Sequence, residues 1–521
     1  MDSNITKYIH SDSLLQVFES CVKNYKDNVF IHHKVPGPTS LEFKALTYGQ
    51  VDSMATNLAN LWEPIIPKDA SCIAVFNDDP IQAALSFFAS LKLGLIICPL
   101  IPFHPEGALR CVDAIRYESQ QNAATTSEIV MDIKVWDGLS DIMQQLYEIA
   151  LAESHDNGKP VVMARKIVTN PKETIVYSNT SGSTSVNPKL IRWTTRSIVF
   201  TPEIMLKPIQ RNDPDMVMRS SDVMVMAFTA FLSGASLAQL ILIIVAGASV
   251  ISHLTSPTRR ILKDQEAAAG SDSHRQTSER IKYCIYGGAP LQDSLGRYLR
   301  SKGLNIRTYY GSTVETFGTS QANMAKGNEH WDKINMSPEM MRYATFEPYN
   351  KKNNIYNLVV HRTYPSLADG VANRPSGDYA TRDLFIEDPP SYWRYIGRMD
   401  DILNLKMGAL VNPIPMEMEI YNSEEIISKC IIIGENRERT AVLVELDQDK
   451  SQKYSHREIT SKGIRVYSRV SGVISVPEMV YILPPNRRLP INLKGIVARK
   501  KVPDVFKQEI EGLYAESFIN F

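Results

Sequence analysis

The stretch IVYSNTSGSTSVNPKL, Ile175–Leu190, decides how this chain is read. Ile175–Tyr177 are β-branched or aromatic and finish a strand pattern. Thr180, Ser181, Gly182, Ser183 and Thr184 follow, small residues rich in hydroxyls and backbone N–H groups. Small side chains let several amides converge on one anion, so the pattern suits a loop that wraps phosphate oxygens. Lys189 adds a full positive charge close by. The loop is not a Walker A motif, which needs GxxxxGK[ST]. Taken alone it also reads as a plain surface turn, and its companions decide between the two.

Downstream, IYGGAPL (Ile285–Leu291) sets two glycines after a strand, where backbone can approach a flat ligand. RTYYGSTVETFG (Arg307–Gly318) follows another strand and offers an aromatic ring, hydroxyls and the Glu315 carboxylate. GDYATRDLF (Gly377–Phe385) carries Asp383 just before an apolar pair, and YIGRMDDIL (Tyr395–Leu403) sets Arg398 beside Asp400 and Asp401. INLKGIVARK (Ile491–Lys500) puts Lys494 on a glycine turn, with Arg499, Lys500 and Lys501 as alternative cations. Upstream, LTYGQVDSMATNLANLW (Leu46–Trp62) predicts a turn and then an amphipathic helix with Val51, Met54, Leu58 and Leu61 on one face. Gln82–Gly94 predicts a helix ending at a glycine cap, and Leu95–Leu100 a buried strand. Strand-like runs alternating with helical patterns give an α/β fold class.

The remaining sequence sets bounds. The 521 residues are 44% apolar and 22% charged, the balance of a globular chain able to bury sizeable cores. Lys plus Arg number 57 and Asp plus Glu 57, which removes the simplest electrostatic case for a nucleic-acid partner. Cys21, Cys72, Cys98, Cys111, Cys284 and Cys430 form no CxxC pair and no zinc spacing, and read as free thiols of a reducing, cytoplasmic compartment. The first residues have no secretory h-region, and the final SFINF is neither a peroxisomal nor a prenylation signal. Val223–Ser252 runs for 30 residues without a charge, long enough for a membrane span. Its interior Thr229, Ser233, Gly234, Ser236, Gln239 and Gly247 favour a buried strand, helix and strand instead. Glu266–Glu279 reads as an exposed loop. Beyond Gly397 the composition changes. The strands Cys430–Ile433 and Ala441–Leu446, joined by the charged turn GENRER, and a last helix over Val502–Glu516 predict a compact α+β unit with a hinge near Asp400.

In this order and spacing the strings resemble the adenylate-forming superfamily, which comprises acyl-CoA synthetases, luciferases and adenylation domains of nonribosomal peptide synthetases. The resemblance runs from Leu46 to Lys500. YATRDLFIEDPPSYWRYIGRMDDILNLKMGALVNPIPMEME (Tyr379–Glu419) is more specifically similar to fungal NRPS-like adenylate-forming reductases of the carboxylic acid and aminoadipate reductase type. In those enzymes an adenylation domain precedes a carrier and a reductase domain. The lysine before its glycine, Lys494-Gly495, points the same way. Ordinary ligases place lysine after the glycine, where Ile496 stands here.

The resemblance implies a large N-terminal domain of layered α/β subdomains, 1–399, and a small mobile α+β domain, 400–521. It implies joining of a carboxylate to AMP with loss of pyrophosphate, then transfer of the acyl group to a thiol. The cofactors would be ATP and Mg2+, with CoA or carrier-bound phosphopantetheine as acceptor. Thr180, Ser181, Gly182, Ser183, Thr184 and Lys189 would cradle the leaving pyrophosphate. Gly288, Ala289 and Pro290 would line the adenine slot, and Tyr310 would stack on the base. Thr313 and Glu315 would face the α-phosphate and the magnesium ion. Asp383 would accept from the ribose hydroxyls, Arg398 would reach the ribose or phosphate, Asp400 would be the hinge, and Lys494 would bridge carboxylate and α-phosphate. Bland readings stand beside these: Asp383 as a cap, Glu315 as a solvated acid, Asp401 as the partner of Arg398.

Three departures bear on the phosphate grip and ribose site. Ser185 stands where glycine is expected in a loop one residue longer than usual, Val314 stands where the family glutamate falls, and Arg382 replaces glycine before Asp383. Amino-acid-activating domains carry an early aspartate for the substrate ammonium, and Met226–Leu240 has no acid. Phe228, Phe231 and Leu232 therefore suggest an apolar or aryl carboxylic acid, and read equally as core. The expected partners are that acid, a downstream carrier and a possible reductase domain, with neither nucleic acid nor a membrane span. The chain ends soon after Lys500, as an excised first domain or a stand-alone activator would. The rival readings are an acyl- or aryl-CoA ligase and a nucleotide-binding scaffold without catalysis.

Overall fold

A computed structural model of the chain describes residues 11, 13–34, 43–76, 79–100, 170–179, 190–200, 217–226, 234–252, 281–287, 291, 293–311, 329–454, 458, 479–491 and 497–516. The chain divides into two compact units. One comprises Met1–Thr180, Pro188–Thr345 and Val360–Tyr379, the other Ser181–Asn187, Phe346–Val359 and Ala380–Phe521. Cys111 and the loop expected over Glu266–Glu279 lie outside the described residues.

The first unit begins from local chemistry that the sequence shows directly. Thr47 and Gln50 exchange side-chain and backbone bonds as a capping box, which starts the helix Tyr48–Trp62. Val51, Met54 and Leu58 are buried as expected, but Leu61 is 43% exposed. Trp62 takes its place, because eleven residues on from Val51 is about three helical turns and returns to the same face. Asp79 accepts from the N–H groups of Ile81 and Gln82 to start the helix Pro80–Leu93, and Gly94 ends it at φ 71°. That helix is buried on nearly every side, with Phe88 stacked on Phe18 at 3.8 Å.

Two four-stranded sheets lie in this unit. One runs Cys72–Phe76, Ile96–Leu100, Thr174–Asn179, Leu190–Thr194, the last pair antiparallel and the others parallel. The other runs Phe43–Thr47, Val29–Lys34, Ser249–Ser252, Val223–Met226. The uncharged stretch is thus strand Val223–Met226, helix Gly234–Ala246 and strand Ser249–Ser252, the two strands parallel. Among the described residues no helix is long and apolar enough to cross a membrane. Tyr48 Oη donates to the Ala248 carbonyl at 2.8 Å, tying the early helix to this layer. The described cysteines form no disulfide, with Cys21, Cys98 and Cys430 buried, and burial pushes the Cys72 thiol up to about 12.

Two parallel strands, Cys284–Gly287 and Ile306–Tyr309, form a third sheet of the unit. The helix Asp293–Ser301 precedes the second strand, and its Gly296 faces the Trp331 indole. A Cβ at Gly296 would lie 1.9 Å from the Trp331 ring, whose backbone carbonyl accepts from Thr308 N–H at 3.0 Å. Gly296→Ala is therefore expected to destabilise this unit by about 1–3 kcal/mol through overpacking. Urea unfolding read by tryptophan fluorescence measures it, and an unchanged midpoint would mean the indole moves aside freely.

In the second unit the strands Ala380 onward belong to a four-stranded sheet, ordered Ala344–Asn350, Ile355–Val360, Tyr379–Glu387, Trp393–Arg398. The expected pair of C-terminal strands is present: Ile427–Ile433 and Ala441–Leu446 are antiparallel, with Val480–Ile482 added in parallel. The helix Pro413–Ser423 packs on them, its start capped by Asn412, which accepts from Ile414 N–H at 3.1 Å. The single last helix expected over Val502–Glu516 is two, Val502–Val505 and Lys507–Glu516. Phe506 between them leaves helical backbone at φ −118° and is fully buried, with the Arg487 guanidinium 4.6 Å from its ring. Burying that ring interrupts the helix.

Candidate functional site

Thr180, Ser181, Gly182, Ser183, Thr184, Ser185 and Lys189 lie outside the described residues. So do Gly288, Ala289, Pro290, Thr313, Val314, Glu315, Phe228, Phe231, Leu232 and Lys494. Tyr310, Asp383, Arg398 and Asp400 are described, as are the strands that lead into the other segments.

Thr174–Asn179 and Leu190–Thr194 pair antiparallel with Asn179 opposite Leu190. The segment carrying Thr180–Thr184 and Lys189 therefore leaves and re-enters the sheet at one point. The glycine string behaves similarly. Gly287 pairs with Tyr309 at the carboxyl ends of two parallel strands, so the two strands end side by side. Open α/β sheets bind ligands at that end of their strands. A Cβ on Gly287 would lie 2.6 Å from the Tyr309 carbonyl oxygen, so glycine is what permits the approach. Tyr286 packs against Trp331 with ring centroids 6.0 Å apart.

Asp383 and Arg398 face each other across the Tyr379–Glu387 and Trp393–Arg398 strands, Asp383 Oδ1 standing 3.5 Å from Arg398 Nε. Thr381 fixes this corner. Its hydroxyl donates to the Leu358 carbonyl at 2.9 Å and accepts from Asp383 N–H at 3.1 Å. Gly397, at φ 134°, leaves room for Ile402 and Asn412, whose atoms would sit 2.9–3.0 Å from a Cβ there. Burial, and then the Asp383 charge, push the Tyr395 phenol well up, so it stays a neutral donor.

The acids beyond Arg398 take different partners from the one suggested for Asp401. Arg398 pairs with Asp383, and Asp401 lies 3.9 Å from Arg499 Nε. Asp400 meets Arg382 Nη2 at 2.9 Å and Lys500 Nζ at 3.7 Å. Arg499 Nη2 donates to both Glu417 carboxylate oxygens at 2.7 and 2.8 Å, and its Nη1 donates to the Ile432 carbonyl at 2.8 Å. Glu417 Oε1 also accepts from Ile432 N–H at 2.6 Å. Burial raises the Glu417 carboxyl above its ordinary range, with Arg499 pulling it back. Sequence reading did not find Glu417, which is 82 residues from Arg499. The flanks of the Lys494 segment are pinned: Ile491 bridges Val497, Ala498 N–H donates to Pro490 O at 2.7 Å, and Leu489 N–H donates to Glu445 at 2.7 Å. No cluster of His, Cys, Asp and Glu among the described residues suits a metal ion.

Two family models match the chain: AMP-binding enzyme over residues 18–338 and AMP-binding enzyme C-terminal domain over residues 400–517. An adenylate-forming reductase, Nps11 of Serpula lacrymans, is 29% identical over 268 residues, covering 48% of this chain and 23% of that protein. A carboxylic acid reductase of Neurospora crassa is 27% identical over 252 residues, covering 46% of this chain and 24% of that protein. The match thus spans less than a quarter of these relatives' length. Among solved structures, the A-PCP didomain of carboxylic acid reductase from Segniliparus rugosus in complex with AMP superposes with TM-score 0.64 at 15% identity, covering 99% of this chain and 84% of that one. ATP-bound MatB from Rhodopseudomonas palustris superposes with TM-score 0.62 at 16% identity, covering 95% and 99%.

Proposed function

The chain belongs to the AMP-binding enzyme family and is a carboxylate-adenylating ligase, and on that premise we propose that it activates a non-amino aryl or alkyl acid for loading onto a carrier thiol. The acid's carboxylate oxygen attacks the α-phosphorus of ATP, the bond to the bridging oxygen breaks, and pyrophosphate leaves. A phosphopantetheine thiolate on a carrier domain then attacks the acyl carbonyl and AMP departs. The carrier and a following reductase belong to this proposal by likeness to the multidomain reductases. So does action in a reducing compartment such as the cytoplasm.

The observation that carries the reading is the Asp383–Arg398 pair. A carboxylate and a guanidinium 3.5 Å apart, on one sheet corner fixed by Thr381, offer an acceptor for two ribose hydroxyls beside a cation for phosphate. In the proposed site Thr180–Thr184 and Lys189 hold the leaving pyrophosphate, and Gly288, Ala289, Pro290 and Tyr310 take the adenine. Thr313 and Glu315 supply the oxygen donors that a hard cation such as Mg2+ prefers. That ion, when bound, neutralises phosphate charge. Residues 1–399 hold ATP and acid, residues 400–521 deliver Lys494, and Asp400 is the hinge. Phe228, Phe231 and Leu232 line the acid pocket.

Pyrophosphate release with ATP, magnesium and a panel of aryl, fatty and α-amino acids, with hydroxylamine trapping of the adenylate, tests this. Selective turnover of aryl or alkyl acids is the expected result. Turnover of α-amino acids would refute the pocket assignment, and ATP binding without any pyrophosphate release would leave a non-catalytic scaffold.

A further inference from the structure

Arg382 stands immediately before Asp383 with φ 64°, backbone that glycine adopts freely and a side chain does not. Its carbonyl accepts Met399 N–H at 2.7 Å, and its guanidinium reaches Asp400 at 2.9 Å. Asp400 is only 11% exposed on its side chain and takes Lys500 as a second cation. The hairpin therefore ends in two charged rungs of opposite polarity. Asp383 pairs across to Arg398, and Arg382 pairs across to Asp400. Past Arg398 the chain turns tightly, since the N–H groups of Asp401 and Ile402 both donate to the Arg398 carbonyl at 2.9 and 3.0 Å. That turn keeps the acids of residues 400 and 401 close to Arg398, the cation across from Asp383. Asp401 is engaged by Arg499, and Asp400 by Arg382 and Lys500. Each acid near Arg398 thus has a cation of its own.

We propose that Arg382 is a positioning residue for the nucleotide: by holding Asp400 it keeps Arg398 aligned with Asp383 instead of drawn into the acidic turn. This rests on the reading of Asp383 and Arg398 as nucleotide-binding groups. The strained backbone supports it. A glycine would relieve the left-handed conformation, so the arginine is explained by what its guanidinium does. Arg382 and Lys500 are about half exposed, at 52% and 57%, so the clamp is also open to screening by salt.

The test is ATP binding to the full chain by titration calorimetry, with no acid present, so that it does not depend on turnover. Arg382→Gly keeps the backbone and removes only the clamp. It is expected to weaken ATP binding about fivefold, the size of coupling seen between contacting charged groups, without lowering the melting temperature. Adding Asp400→Asn to that variant removes the competing carboxylate and is expected to bring affinity back to within about twofold of the parent. A merely structural arginine predicts neither the preserved melting temperature nor the recovery. Equal ATP affinity in the parent and Arg382→Gly would overturn the proposal, and so would a loss that Asp400→Asn fails to recover. A parent chain that binds no ATP would instead overturn the functional reading beneath it, and the proposal with it.

Discussion

Lys494→Ala is expected to slow acyl-adenylate formation about 100- to 1,000-fold, the loss that follows removal of one preorganised donor to developing charge, about 2.7–4 kcal/mol. The attacking carboxylate and the α-phosphate are both anions, so the transition state gathers negative charge where a compact ammonium is worth most. Two of the cations that follow it in sequence are already engaged. Arg499 donates through Nη2 to both oxygens of Glu417, and Lys500 faces Asp400. The segment carrying Lys494 is also short and held at both ends, by the Ile491–Val497 bridge and by Ala498 N–H to Pro490 O. Single-turnover pyrophosphate release measures the effect. Losing less than tenfold would move the assignment away from Lys494, and a larger loss in Lys501→Ala would move it to Lys501.

Local chemistry was legible and long-range pairing was not. The Gly94 stop is read within a few residues, and the structure has it, together with the Thr47–Gln50 capping box and the Asp79 cap that start the two helices. The uncharged Val223–Ser252 stretch resolves as strand, helix and strand for a reason visible in its polar interior. Leu61 was misread because a helix face chosen by hydrophobicity at short spacing ignores where a third turn lands, which is at Trp62. The break at Phe506 was invisible because the force that makes it, burial of one ring under Arg487, comes from outside the helix. At the site, Asp383 and Arg398 were marked separately, but their cross-strand register was not readable. Nor was the left-handed backbone of Arg382, which a sequence shows only as an unexpected residue type. What makes Arg382 interpretable is Asp400, eighteen residues on, and only folding brings the two to 2.9 Å.

The same long-range logic makes Arg499→Met the substitution with the largest expected effect on stability. Arg499 and Glu417 are 17% and 14% exposed on their side chains, well below the exposure at which solvent screening makes an ion pair nearly worthless. Glu417 binds Arg499 through both oxygens and Ile432 N–H through one, so three segments meet on one carboxylate. Removing the guanidinium leaves that carboxylate buried without its cation, which costs about 3–5 kcal/mol. Burial already raises Glu417 above the ordinary glutamate value of 4.5, so its folded form binds a proton more tightly than its unfolded form. Its contribution to stability is therefore full below 4.5 and is lost as pH rises through the folded value. Without Arg499 the folded value climbs further, so the variant's deficit should shrink as pH falls from 7 towards 5. Chemical unfolding of the parent and Arg499→Met at both pH values measures this. The companion variant, Glu417→Leu with Arg499→Met, removes both charges and should recover most of the loss, since an apolar pair of similar volume replaces a buried ion pair at little cost. A deficit below about 1 kcal/mol at pH 7 would place the pair with solvent-screened surface bridges, and a double variant no better than the single would mean that the hydrogen bonds to Ile432, more than the charge, hold these segments together.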